Sequence, residues 1–214
     1  MLSIATLKVT GQDAAEFLQG QLTNDIRRLE SEPEMLAAWC NPKGRVIWFG
    51  TVWPIESGFG LSVPSDTAGD IVRRLTLFRF RSKVEFEIVD EGQTVDPAFL
   101  VEQGYPYIGP DQSEQFTPHM LNLDLLGAIS LDKGCYTGQE IVARTHYKGA
   151  TKRRTRRFEA SGPVSEGSKV QLDGRDIGDV LNVAGNQLLA VVPVDKAEDA
   201  LTVGEVQLTN VPLP

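Results

Sequence analysis

The chain opens on strict alternation. From Ala5 to Gly11, "ATLKVTG" trades apolar for polar at every step, the two-residue period of a strand with one buried face. The period then changes. "GQDAAEFLQGQL" sets Ala14, Phe17 and Leu18 on one helical face, with Asp13 as the expected N-cap and Glu16 three residues on. "MLAAWCNPKGRVIWFGTVWP" predicts two strands joined at Asn41-Pro42-Lys43-Gly44, because proline second and glycine fourth suit a type I turn. "GFGLSVP" reads as another strand. "SDTAGDIVRRLTLFRF" places Ile71, Leu75 and Phe78 together and Arg73 and Arg74 outside, an amphipathic helix, and "KVEFEIV" alternates again. From Asp90 to Pro118 the composition turns polar and rich in glycine and proline, which predicts a connector that carries function.

A helix from Thr137 to about His146 comes next. Thr137-Gly138-Gln139-Glu140 fits a capping box, and Glu140 and Arg144 are spaced to pair at i, i+4. After it, "TRRFEAS", "SKVQLDGRDIGDVLNV", "NQLLAVVPV" and "EVQLTNV" are short strands broken by glycine and asparagine turns, the pattern of a small antiparallel barrel or sandwich. There is no internal repeat. The fold class expected is α+β, with residues 1–150 mixed and residues 151–214 an all-β barrel-like module.

At 214 residues, 41% hydrophobic and 23% charged, the composition is that of a globular protein, with no apolar run long enough to span a membrane. The start "MLSIATLKVTGQD" has no charged region followed by an apolar core and cleavage site, so the expectation is a cytoplasmic chain. The net charge of −8 disfavours general nucleic-acid binding. One stretch departs from it: "KGATKRRTRR" carries six basic residues in ten, read as outward strand charges protecting an edge, with an RNA or phosphate contact as the alternative.

The chemistry concentrates in "LDKGCYTGQEIVART", residues 131–145. Cys135 sits between Gly134 and the capping box, ahead of a helix start and two residues from Lys133. Helix amides, the helix dipole and a neighbouring cation each favour a thiolate. A cysteine buried beside a tight turn is the alternative. Cys40 follows the apolar "LAAW" and is expected to be inert. Cys40 and Cys135 have no metal-ligand spacing, form no disulfide framework, and cannot hold a conventional cluster in one chain. His119 and His146 are the only histidines and have no serine motif beside them, so a hydrolytic triad is unsupported. No P-loop and no dinucleotide fingerprint is present.

"KGCYTGQEIVAR" resembles the signature of the YgfZ family. "GQDAAEFLQGQLTNDI", "CNPKGRVI" and "EQGYPYIGPDQSEQFTPHMLNLD" agree with it, and the likeness covers roughly residues 4–50 and 100–157. The resemblance implies an aminomethyltransferase-like, folate-binding fold with a shortened central module. It also implies an accessory protein, with no turnover of its own, that supports iron–sulfur proteins and through them tRNA modification. Its ligand would be tetrahydrofolate or a derivative, and its partners iron–sulfur client proteins, with no direct nucleic-acid contact and no membrane. Cys135 matches the functional thiol, and Lys133, Gly134, Tyr136, Gly138, Gln139, Glu140 and Arg144 complete the signature. Glu102 matches the carboxylate that would hold a pterin, with Asn24 and Asp25 in the same cleft; Asn24-Asp25 also reads as a simple turn. Trp48 stands where transferase relatives carry an acid, and Ile4 and roughly Asp96 stand where better-known members carry tryptophans. A folate-dependent aminomethyl or methyl transferase and an RNA-binding module remain as alternatives.

Overall fold

Strand β1 (Leu2–Thr10) is an interior strand of the first sheet, paired to β4 (Gly58–Pro64) on one side and β5 (Glu85–Val95) on the other. Strands β2 (Met35–Cys40) and β3 (Val46–Ile55) extend it in the order β2-β3-β4-β1-β5, every pairing antiparallel. The structure is a computed structural model that describes residues 1–149 and 151–214, with Lys148 described by its backbone alone. Ala150 and the Lys148 side chain of the basic run thus lie outside the described residues.

The opening alternation does what its period requires. Ala5, Leu7 and Val9 point to one face of the sheet, which α1 (Ala14–Gln21) and α2 (Ala68–Arg79) cover. Phe17, Leu18, Trp39, Trp48, Ile71 and Leu75 fill the space between, each contributing about 1.5–3 kcal/mol by leaving water. The hairpin from β2 to β3 turns at Asn41-Pro42-Lys43-Gly44, where the Gly44 amide donates to the Asn41 carbonyl at 2.9 Å and Gly44 adopts φ +67°.

The sheet's other face carries Ala38, Cys40 and Phe49. It packs on a second core with Ile108, Leu121 and Leu123 from the irregular chain between Gly104 and Gly138. That connector begins later than its composition suggests. Residues 93–95 pair with β1, and α3 (Pro97–Gln103) follows, with the Asp96 side chain accepting from the Ala98 amide. Glycine and acidic residues are tolerated there because β5 is an exposed edge strand. The last helix, α4, is Gln139–Lys148.

Six strands then close an antiparallel barrel: β6 (Arg153–Ala160), β7 (Lys169–Leu172), β8 (Arg175–Ala184), β9 (Gln187–Pro193), β10 (Leu201–Val203) and β11 (Val206–Val211). Leu188, Ala190 and Val192 of β9 fill its interior, while Leu189 and Val191 point outward into the second core. This is why β9 reads as an unbroken apolar run instead of alternating. Three arginines of the basic run serve the fold. Arg154 grips Asp124 through two hydrogen bonds of 2.9 and 2.8 Å, Arg153 pairs with Asp179, and Arg157 donates to Gln187.

Two expected caps are absent. The Asp13 carboxylate accepts from the Lys83 amide at 2.7 Å and caps no amide of α1. Thr137 caps nothing either: α4 starts two residues later, after Gly138, whose φ of +83° ends any regular helix at that point.

Candidate functional site

The signature segment is fastened at both ends. Lys133 is buried, and its Nζ donates to the carbonyls of Gln19, Leu22 and Asn24 at 2.7, 2.5 and 3.0 Å. Gln19 and Leu22 end α1, a helix with no basic residue in its own last turn. Lys133 therefore supplies the C-terminal cation that satisfies orphan carbonyls and opposes the helix dipole. Burial pulls its pKa down to about 8. Its Nζ also lies 5.0 Å from the centre of the buried Tyr136 ring, and burial raises the Tyr136 phenol. At the other end, Gly138 sits against the β2–β3 turn: a Cβ there would meet the Asn41 carbonyl oxygen at 2.6 Å. A Cβ on Gly44 would meet Ile141 at 2.8 Å. Close approach of backbone to backbone is what these two glycines provide.

Between these anchors Cys135 is exposed. Its neighbours Lys133 and Tyr136 are 4% and 7% accessible, so the chain is pinned on both sides of an outward thiol. Lys133 does not serve that thiol as expected, because its ammonium is spent on three carbonyls inside the protein. Gly134 has open space around it. Gln139 is half-buried, and Glu140 and Arg144 are exposed and form no ion pair among the described residues. Cys40 is fully buried, which pushes its thiol up to about 12.

A cavity of about 520 Å³ opens on the second face of the first sheet, under α3 and the strap from Tyr105 to Tyr107. Leu36, Phe49 and Ser62 form its floor; Phe99, Tyr105 and Tyr107 form its wall. Phe99 and Tyr105 meet edge to face at 6.4 Å. Buried Asn182 on β8 clamps the strap, accepting from the Tyr107 amide at 2.9 Å and donating to its carbonyl at 3.0 Å. Burial, with Asp66 and Glu166 nearby, pushes the Tyr107 phenol up to about 12, so it keeps its proton at neutral pH. At the rim stands Glu34, exposed and without a hydrogen bond or ion pair among the described residues. Aromatic walls, a few hydroxyl and amide groups and one unspent carboxylate suit a flat heterocycle with a donor edge, so the residues present fit a pterin.

Glu102, Asn24 and Asp25 do not line this cavity. Glu102 is exposed on α3 and does not line the cavity, because the helix turns that position outward while Phe99 and Leu100 face in; its main-chain oxygen accepts from Arg157. Asn24 is fully buried and structural. Its Nδ2 donates to the Leu36 and Gly127 carbonyls, and its Oδ1 accepts from the Asp25 amide. Asp25 caps the 3-10 turn Ile26–Glu30, and the hydrogen-bonded Arg27 guanidinium holds its carboxyl down at about 2. Trp48 is buried in the first core with its Nε1 donating to the Ser62 carbonyl at 2.8 Å, which leaves no carboxylate at that point. None of residues 131–145 lines the cavity, so thiol and cavity are separate features. Glu34 stands immediately before β2, and the alternation of Ala38 and Leu36 carried one step back in the sequence points to the cavity side at that position.

The fold defines the class. The structure is similar to the glycine cleavage system aminomethyltransferase T from Bartonella henselae, with a TM-score of 0.72 and 14% identity over 97% of this chain and 82% of that one. It is thus an aminomethyltransferase-like α+β fold closed by a C-terminal antiparallel barrel, and residues 152–212 match the family "CAF17, C-terminal beta-barrel domain". An uncharacterized protein of Haemophilus influenzae is 32% identical over 69% of this chain and 68% of its own length. Proteins named "tRNA-modifying protein YgfZ" are 27% identical, one from Hamiltonella defensa over 69% of this chain and 65% of that protein, one from Escherichia coli over 96% and 83%. The chain belongs to the YgfZ family.

Proposed function

We propose that this protein is a folate-binding accessory protein that supports assembly or repair of iron–sulfur proteins, and thereby tRNA modification, through the thiol of Cys135. The observation that carries the reading is the exposed cysteine held between buried Lys133 and buried Tyr136. A pinned, outward thiol pays little ordering entropy when it meets a partner or a metal species. The folate is assigned to the cavity under Tyr105–Tyr107, with Glu34 replacing Glu102 as the carboxylate that accepts from the pterin. Because the signature segment does not line that cavity, the reading gives the folate and the thiol separate tasks and no shared chemical step. Loss of the acid at Trp48 supports it over a one-carbon transferase.

The test is complementation. In cells lacking the endogenous protein, Cys135→Ala should fail to restore iron–sulfur enzyme activity under oxidative stress while keeping a wild-type circular dichroism spectrum. Full restoration by Cys135→Ala returns the cysteine to a passive surface position and removes the proposal.

A further inference from the structure

The charges around the cavity say which part of a ligand it recognises. Of the described side chains that line it, Glu34 is the only acid, and no lysine, arginine or histidine is among them. Two further acids stand near its wall. Asp66 and Glu166 lie close enough to Tyr107 to help raise its phenol, and the whole chain carries −8. A folate consists of a neutral, amine-bearing ring joined to a glutamate tail, and each added glutamate brings another negative charge. The lining offers the ring aromatic faces (Phe49, Phe99, Tyr105), one acceptor pair on Glu34 and the Gln93 amide, and it offers the tail no cation.

Resting on the folate reading, we infer that the cavity recognises the pterin ring alone, and that an anionic tail stays in solvent and adds no affinity. The ligand class is a neutral, flat heterocycle with a donor edge, whether free or as the head of a larger molecule. Bidentate donation to Glu34 supplies the polar part of binding. Like-charge repulsion from Glu34, Asp66 and Glu166 makes each further glutamate neutral or unfavourable, and salt screens that repulsion.

Calorimetric titration of the full chain with tetrahydropterin, tetrahydrofolate and tetrahydrofolyl-triglutamate separates the possibilities. Tetrahydropterin should bind as tightly as tetrahydrofolate, the triglutamate no tighter, and the difference should shrink as salt rises. Glu34→Gln should weaken all three by about tenfold or more, as loss of a charge-assisted hydrogen bond does. Glu34 has no hydrogen-bond or ion-pair partner among the described residues, so this variant should keep the wild-type melting temperature. Binding of the triglutamate at least fivefold tighter than tetrahydropterin overturns the inference while leaving folate binding intact. Failure of all three ligands to bind overturns the folate reading itself and this inference with it.

Discussion

Lys133 caps a helix 111 residues before it: its Nζ lies 2.5 Å from the Leu22 carbonyl at the end of α1. The first residue of the signature is therefore a structural strut. Lys133→Met removes the donor for three main-chain carbonyls at once, two of them buried contacts. Unsatisfied buried acceptors cost roughly 1–3 kcal/mol apiece, so urea denaturation should show a loss of about 3 kcal/mol. A loss below about 0.5 kcal/mol would mean that water replaces the ammonium without penalty.

Two glycines of the signature should respond in opposite ways. Gly138 has φ +83° and a main-chain oxygen where its Cβ would go, so Gly138→Ala should destabilise by about 2 kcal/mol. Gly134 has open surroundings, and Gly134→Ala should stay within about 0.5 kcal/mol. Thermal melts of the pair decide it; equal melting temperatures would contradict the packing at the Asn41–Gly44 turn.

The two thiols should be distinguishable by alkylation. Iodoacetamide should modify one site per folded chain, Cys135, and two in denaturant, because Cys40 is fully buried and its thiol pushed up to about 12. Mass spectrometry finding native Cys40 modified at a similar rate would show that the second core opens readily.

Acid should destabilise the protein partly through His119. It is 2% exposed, neither ring nitrogen has a hydrogen-bond partner among the described residues, and His146 lies 6.0 Å away between ring centres. Burial pushes its pKa below the ordinary value, with Arg154 and His146 acting the same way and Asp124 opposing. The unfolded chain thus takes up a proton near pH 6.5 that the folded one resists. Stability from this group is complete above that pH and is lost as pH falls below it. His119→Phe should flatten the dependence of urea midpoints between pH 5 and 7; an unchanged slope would assign the acid sensitivity to other groups.

What the sequence made legible follows from the range of the interactions involved. Period-two runs such as Ala5–Val9 and the face of Ile71 and Leu75 are decided by local burial, and they fold as their pattern says. The turn at Asn41–Gly44 is equally local. The capping box at Thr137 is a local rule that lost to a distant contact, since Gly138 adopts positive φ to seat against Asn41. Lys133 looked like an activator of its neighbour in the chain because its three acceptors lie more than a hundred residues away. Glu102 does not line the cavity because α3, masked in the sequence by the polar composition after Asp90, turns that position outward.

Strand β9 has a consequence for how the molecule comes apart. Leu188, Ala190 and Val192 belong to the barrel's interior, while Leu189 and Val191, with Leu181 of β8, belong to the core shared with the first sheet. Peeling the sheet from the barrel would wet those three aliphatic side chains, and opening the barrel would strip the sheet's second face. Neither half can melt without exposing the other. Amide hydrogen exchange should therefore be slowest along β9 and match the global unfolding free energy there, and residues 152–212 cut free of the rest should self-associate through the bared face.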